Sequence, residues 1–80
     1  MVDSPGKITL WGVEVFVATA EEQSISAAAK RLNSSAATVS QQLTNLEAAI
    51  GTTLLNRNAR PVIPTPAGEM FLRRANAILS

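Results

Sequence analysis

Residues 24–50 read SISAAAKRLNSSAATVSQQLTNLEAAI, and this stretch decides the fold. It is typical of two helices joined by a turn of a few residues. The first helix is short and rich in alanine. The second is predicted to begin after a cap at Ser35, and apolar residues recur along it at intervals of four, three and four: Val39, Leu43, Leu46 and Ile50. Because these intervals place the four side chains on one face, we expect that face to lie against a core.

The opposite face of the second helix is polar without being acidic. Its side chains are short or form hydrogen bonds: Ala37, Thr38, Gln41, Thr44 and Asn45. A helix that packs on one side and offers amides and hydroxyls on the other is suited to contacting base edges in a groove of DNA. A solvated helix face is the alternative interpretation.

The composition excludes several classes of function. Eighty residues make one domain, and they include no cysteine and no histidine. Disulfides, zinc sites built on these residues and Ser-His or Cys-His nucleophile pairs are therefore excluded, so we expect neither an enzyme nor a bound cofactor. No apolar run approaches the ~20 residues of a membrane span, and no signal peptide is recognisable. We therefore expect a cytoplasmic protein without a membrane partner.

The charge distribution is more informative than the net charge of +1. Residues 1–23 carry a net charge of −3, residues 24–60 carry +3 and residues 61–80 carry +1. The positive balance falls on the two helices and the segment that follows them, where DNA phosphates would lie. Chance asymmetry in a short chain is the alternative interpretation.

A further helix is predicted before this pair, from Ile8 or Leu10 to about Glu21. Trp11 falls off its apolar stripe, and it is either a partly exposed aromatic or a contact to a partner subunit. The stripe consists of Leu10, Val13, Phe16, Val17 and Ala20.

Local signals define the ends of the helix pair. Ser24 or Ser26 can cap the first helix of the pair, which is predicted over residues 26–32. Asn33 suits the turn because asparagine tolerates the left-handed conformation. The second helix is predicted to end at Ile50, with Gly51 in the left-handed position that terminates it.

The remaining chain predicts a small hairpin and a final helix. Two short apolar runs flank the polar residues 58–61, and Pro64 reduces the second run to a short edge strand. The last helix is predicted from Pro66 to the end, with Thr65 as its cap. Its apolar residues cover more than one face, which implies packing against a partner helix. They are Ala67, Met70, Phe71, Leu72, Ala75, Ile78 and Leu79.

The predicted fold is therefore mainly α: a winged helix-turn-helix of three helices and a small β-hairpin wing, followed by a long C-terminal helix. A set of residues spread along most of the chain occurs in a characteristic order. They are Leu10 and Phe16-Val17, residues 20–26 (AEEQSIS), Ala28-Ala29 with Leu32, Ser35, Ser40, Gln42-Leu43, Leu46-Glu47, Gly51, Leu54-Leu55, Arg57, Arg60 and residues 65–68 (TPAG). In these residues the chain resembles, from Ile8 to Leu79, the DNA-binding domain of the LysR-type transcriptional regulators.

The resemblance implies a bacterial transcription factor. Residues 1–65 would form the DNA-binding domain, and residues 66–80 a linker helix that forms a homodimer, or part of a tetramer in the full-length regulator. An effector-binding domain that takes a small molecule would follow and is absent from this chain. The candidate dimer contacts are Trp11, Met70, Phe71, Arg74 and Ile78. Ser34, Ala36, Ala37, Gln41 and Pro64 depart from the usual family residues.

Helix 36–50 is expected in the major groove, and the wing, residues 54–65, at the flanking minor groove or backbone. Gln41 can pair with adenine, and Thr38 can contact a thymine methyl. Ser26 and Ser40 are candidates for phosphate contacts, and Arg31 is either such a contact or solvated. In the wing, Arg60 beside Pro61 is expected to insert into the flanking minor groove, whereas Arg57 is expected to face the DNA backbone or to be structural. The candidate DNA-binding residues are Ser26, Ser35, Ala36, Ala37, Thr38, Ser40, Gln41, Gln42, Asn45, Arg57, Arg60 and Pro61.

No basic residue lies on helix 36–50, so we predict an A·T-biased interrupted dyad as the DNA partner. Two alternatives remain open from the sequence. One is a winged-helix module that binds protein and not DNA. The other is a small hydrolase using Glu21, Glu22 and Glu69, although these carboxylates are better explained as charges at helix ends.

Overall fold

The computed structural model describes residues 8–79. The order of elements is α1 (Leu10–Glu22), α2 (Ile25–Arg31), α3 (Ala36–Ile50), β1 (Leu55–Asn56), β2 (Ile63–Pro64) and α4 (Pro66–Leu79). This arrangement confirms the predicted winged helix-turn-helix followed by a long helix. The predicted domain ranges also include residues 1–7 and 80, which lie outside the described residues.

Helix α1 begins at a threonine cap and ends one residue later than predicted. The Thr9 hydroxyl oxygen accepts from the Gly12 N–H at 3.0 Å, and Gln23 ends the helix in the left-handed conformation, with φ of 57°. The prediction that Leu10 belongs to the buried stripe is wrong, because the residue is 61% exposed. Helical side chains tilt toward the N-terminus, so the side chain of this first helical residue projects beyond the edge of the core.

Helix α2 is capped by Ser24, the first of the two candidates. The Ser24 hydroxyl oxygen accepts from the Ala27 N–H at 3.1 Å, and Ser26 lies within the helix. Asn33 adopts φ of 55° in the turn that follows, which confirms the left-handed position. Ala28 and Ala29 are buried, and their small side chains allow α2 to lie close to its neighbours.

Helix α3 has the predicted ends. The Ser35 hydroxyl oxygen accepts from the Thr38 N–H at 3.1 Å, and Gly51 takes φ of 88°. The glycine N–H closes the helix by donating to the Glu47 carbonyl at 2.8 Å. At this backbone angle an L side chain would be strained, which explains glycine here.

The core lies between α1, α3 and the start of the wing. Phe16 and Val39 are fully buried, and Leu43 and Leu46 are nearly so. Ile50, predicted on the same stripe, is only partly buried at the edge of this cluster. The apolar face of α3 is therefore held inward, and its polar face is turned to solvent.

The wing is a two-stranded antiparallel sheet that pairs Leu55 with Pro64 and Asn56 with Ile63. Each strand has only two residues. Leu54, Leu55 and Val62 are buried and anchor the base of the wing to the core. Pro64 lies in the short second strand, as expected for a residue without a backbone N–H.

Helix α4 is attached to the wing at its first turn. The Thr65 hydroxyl accepts from the Gly68 N–H at 3.0 Å and donates to the Thr53 carbonyl at 2.7 Å. Gly68 is packed so closely that a Cβ there would lie 1.9 Å from the Leu54 carbonyl oxygen. No side chain larger than hydrogen fits at this contact.

One face of α4 packs inward and the other remains exposed. Phe71 lies edge-on to Phe16, with ring centroids 5.3 Å apart, and Ala75 is buried. Phe71, a predicted dimer contact, therefore packs against the core of its own chain. Met70 and Ile78 are 53% and 76% exposed. Among the described residues, no helix has the length and hydropathy needed to cross a membrane.

Candidate nucleic-acid interface

Two amide side chains are joined on the exposed face of α3. Gln41 and Asn45 lie one helical turn apart and are both exposed. The Gln41 Nε2 donates to the Asn45 Oδ1 at 3.0 Å. The pair keeps the Gln41 carbonyl oxygen, one Gln41 N–H and the Asn45 NH₂ available, so acceptors and donors stand side by side where a base edge would be read.

The first turn of α3 lies next to this pair and is open to solvent. Ala36, Ala37 and Thr38 are exposed. The Ser35 hydroxyl donates to the Thr38 Oγ1 at 3.0 Å while accepting from the Thr38 N–H. This reciprocal contact fixes both side chains. Because residues 36–38 are exposed, the N-terminus of α3 lies on the same polar face as Gln41 and Asn45. The N–H groups at a helix N-terminus favour a nearby negative charge.

Gln42 does not belong to this face. It is half-buried, and its Oε1 lies 3.9 Å from the position that a Cβ on Gly12 of α1 would take. The predicted contact site groups Gln42 with Gln41, but the structure turns the Gln42 side chain toward α1. Consecutive helical residues are 100° apart, so only one of the two glutamines can face outward fully.

Arg57 of the wing is bound to the side of α3. Its Nη1 donates to the Ser40 hydroxyl at 3.2 Å and to the Ser40 carbonyl at 3.4 Å. Its Nη2 donates to the Thr44 hydroxyl at 3.2 Å and to the Glu47 Oε1 at 2.8 Å. Of the two roles predicted for Arg57, this geometry favours the structural one, and it also engages the Ser40 hydroxyl, a predicted phosphate contact.

Glu47 is a residue of this interface that the sequence reasoning missed. Its Oε2 accepts from the backbone N–H groups of Leu54 and Leu55 at 2.8 and 3.1 Å, while Oε1 pairs with Arg57. No local pattern signals contacts across seven to ten residues. The resemblance includes both Glu47 and Arg57, and that was the one available hint.

Arg60 lies at the exposed end of the wing. Its Nη1 donates to the carbonyls of Arg57 and Ala59 at 3.0 and 3.4 Å, and both Arg60 and Pro61 are exposed. Both hydrogen bonds of this guanidinium are to backbone carbonyls, and no carboxylate among residues 8–79 forms an ion pair with it. The exposed end of the wing thus presents the positive charge of Arg60, the residue predicted to insert into the minor groove.

The start of α2 faces the wing across a cleft of about 210 Å³. Ser24, Ser26, Arg57, Arg60 and Val62 contribute to its walls. The structure therefore brings Ser26, a predicted phosphate contact on α2, to the same cleft as the two wing arginines. This proximity could not be read from residues more than thirty positions apart in the sequence.

Arg31 forms ion pairs in place of a free positive charge. Its Nη1 lies 2.8 Å from a Glu21 carboxylate oxygen and 3.3 Å from one of Glu22. The hydrogen bonds to Glu21 and then Glu22 raise the pKa of Arg31 above its usual value. The side chain is exposed, as expected of a solvated arginine, and it is paired with two carboxylates at the end of α1.

The family model described as "Bacterial regulatory helix-turn-helix protein, lysR family" matches residues 10–69. The chain belongs to this family. A probable hydrogen peroxide-inducible genes activator of Mycobacterium xenopi is 39% identical over 79 residues, covering 99% of this chain and 42% of that protein. The uncharacterised HTH-type transcriptional regulator YnfL of Escherichia coli K12 is 47% identical over 73 residues, or 91% of this chain and 25% of that protein.

Solved structures of LysR-type proteins have the same fold. The BenM DNA-binding domain in complex with benA site 1 DNA superposes with a TM-score of 0.87 at 40% identity, covering 90% of this chain and 81% of that one. The CbnR DNA-binding domain in complex with DNA gives 0.85 at 39% identity, covering 90% and 83%. Against the two curated relatives above, the chain spans less than half of their length.

Proposed function

We propose that this chain binds double-stranded DNA sequence-specifically, as the DNA-binding domain of a LysR-type transcriptional regulator. Helix α3 would enter the major groove, and the wing would lie at the flanking minor groove or backbone. The observation that carries the proposal is the exposed, non-acidic face of α3, where the Gln41–Asn45 pair stands between the helix N-terminus and a wing that ends in Arg60. The fold shared with two DNA-bound family members supports it.

Base reading would depend on amides and methyl groups. The free carbonyl oxygen and N–H of Gln41 match the N6 donor and N7 acceptor of adenine, and the Thr38 methyl matches that of thymine. Helix α3 has no lysine or arginine, so the usual bidentate partner of guanine is missing. We therefore propose an A·T-biased half-site, with part of the specificity contributed by DNA shape.

Backbone contacts would come from residues around the cleft between α2 and the wing. Ser26 and Arg60 are exposed there, and the wing segment Arg60-Pro61 is proposed to reach the minor groove or its phosphates. Arg57, with four hydrogen bonds to α3, is assigned a positioning role.

The assembly is proposed from family membership together with exposed apolar residues. Residues 66–80 would act as a linker helix in a homodimer, with Trp11, Met70, Arg74 and Ile78 at or near the contact, or in a tetramer of a longer regulator. A small-molecule effector would bind only to a further domain of such a regulator. The dimer would place two α3 helices on an interrupted dyad in the cytoplasm.

The proposal is tested by selecting duplexes from a random pool with the 80-residue chain. We expect enrichment of A·T-biased half-sites arranged as a dyad. The Gln41→Ala variant, selected in parallel, should lose the preference at one base pair in each half-site. A pool that stays random after several rounds would overturn the proposal. That result would favour the alternative, a winged helix that binds protein and not DNA.

A further inference from the structure

Among the described residues, the hydrogen bonds between the wing and the recognition helix α3 all involve Glu47 or Arg57. The Glu47 carboxylate accepts from two wing N–H groups, those of Leu54 and Leu55, and also pairs with Arg57. Arg57 in turn reaches back along α3 to Thr44 and Ser40. The Glu47–Arg57 bridge therefore joins the middle and the last turn of α3 to both ends of β1.

Buried Leu54, Leu55 and Val62 anchor the base of the wing to the core, and the bridge adds the directional contacts that fix its angle to α3. Its strands have two residues each, which is too short for a sheet to be stable by itself. The side chains of Arg57 and Glu47 are only 25% and 16% exposed, so the pair is largely shielded from water. A shielded charged pair with several hydrogen bonds has a defined geometry, and the loss of one partner leaves donors without acceptors.

The bridge also determines how much free positive charge the wing presents. Arg57 and Arg60 are neighbours, and the Arg60 guanidinium donates to the Arg57 carbonyl. Glu47 neutralises Arg57 and directs its guanidinium to α3. Without this carboxylate, Arg57 would keep only neutral acceptors on α3, and its unpaired charge would bind phosphates irrespective of base sequence.

We propose that Glu47 is a specificity-determining positioning residue. By holding Arg57 on α3, it sets the wing at a fixed distance from the recognition helix, so that base contacts by α3 and groove contacts by Arg60 are made on the same DNA register. It also keeps Arg57 from strengthening sequence-independent binding. This inference rests on the proposed function.

The test compares Glu47→Gln with Glu69→Gln, a variant with the same change in net charge at an exposed residue in the first turn of α4. Fluorescence anisotropy measures the dissociation constant for a duplex selected from the random pool and for a random-sequence duplex, each over a range of salt. For Glu47→Gln we expect the ratio of the two affinities to fall about tenfold, as for loss of one charged hydrogen-bonded contact. Binding to the random duplex should not weaken, and its salt slope should steepen by about 0.9.

Arg57→Gln is the second variant, because it leaves the Glu47 bonds to Leu54 and Leu55 in place and so keeps the base of the wing intact. We expect the same fall in the affinity ratio, with an unchanged salt slope. A slope reduced by about 0.9 would show that Arg57 contacts phosphate directly and would overturn its positioning role.

Thermal unfolding of each variant accompanies the titrations and shows whether the fold is intact. Two further outcomes would contradict the inference. If Glu47→Gln matches Glu69→Gln in ratio and slope, Glu47 has no part in specificity. If both duplexes lose affinity in equal proportion, Glu47 only maintains the fold. Failure of the unaltered chain to bind either duplex would instead refute DNA binding itself, and the inference with it.

Discussion

At the scale of single residues, Gln41 and Arg60 are expected to contribute to DNA binding in different physical ways. Gln41 presents an oriented amide on α3, held by Asn45. Arg60 presents a positive charge on the wing, and within residues 8–79 its guanidinium donates to backbone carbonyls and to no carboxylate. An amide distinguishes bases and is little affected by salt, whereas a guanidinium against phosphate binds all sequences and is weakened by salt.

Gln41→Ala should reduce discrimination between the selected duplex and one with the contacted base pair changed, by about 1–3 kcal/mol. Its salt slope should not change. The matched control is Gln42→Ala, which should leave base preference as it is, because that side chain faces Gly12 of α1. Anisotropy titrations of both variants measure this, and equal effects of the two substitutions would contradict the assignment of the outer face.

Arg60→Ala should weaken binding to every duplex, and the salt slope should become shallower by about 0.9. The same titrations measure it. Undiminished affinity in a folded variant would remove Arg60 from the interface and leave the wing without a cation in contact with DNA.

The residues predicted correctly from sequence are those whose role depends on neighbours along the chain. Local rules that need no tertiary structure predict Ser35 as a helix cap. They also predict the left-handed conformation of Asn33 and Gly51. The roles of Glu47 and Gln42 depend on what α1 and the wing place against α3, and the sequence has no rule for that.

At the scale of elements, the attachment of α4 to the wing depends on a close approach at Gly68. The predicted helix boundaries agree with the structure within about one residue, because caps and apolar periodicity are local signals. The sequence predicts the small hairpin but not the length of its strands, which is two residues each. Strand length depends on how far the two backbones stay paired, which is set by tertiary context and not by local signals.

Gly68→Ala should destabilise the domain by about 1–3 kcal/mol, because the added methyl group meets a backbone carbonyl that cannot move without separating α4 from the wing. The control is Gly12→Ala in α1, where the nearest atom is the Thr9 hydroxyl at 3.2 Å. There the gain in helix propensity, up to about 1 kcal/mol, opposes a mild contact. Urea unfolding of both variants measures the difference, and equal stabilities would show that the Gly68 contact relaxes freely.

At the scale of the whole molecule, the surface has two contrasting regions. The polar face of α3 and the wing form one. The other includes the outer side of α4, where Met70, Arg74 and Ile78 recur every four residues and are exposed. Exposed apolar side chains at helical spacing are typical of an interface between subunits. The sequence predicted this face, although it also assigned to it Phe71, whose ring lies against Phe16.

We therefore expect the chain to dimerise as its concentration rises, and Ile78→Ser to shift it toward the monomer. The control is Ile63→Ser, which changes an exposed isoleucine on the wing and should leave the assembly unaffected. Sedimentation velocity over a range of concentrations measures both. A chain that remains monomeric throughout would contradict the proposed role of α4 in this fragment.

The most direct test of the central claim, that α3 and the wing read DNA, is the salt dependence of binding. Anisotropy titrations of the unaltered chain with the selected duplex and with a random-sequence duplex give the two slopes and the ratio of affinities. We predict steep, similar slopes for both duplexes, with the selected one bound at least ~10³ times more tightly at physiological salt. A flat slope with no preference between the duplexes would contradict the claim.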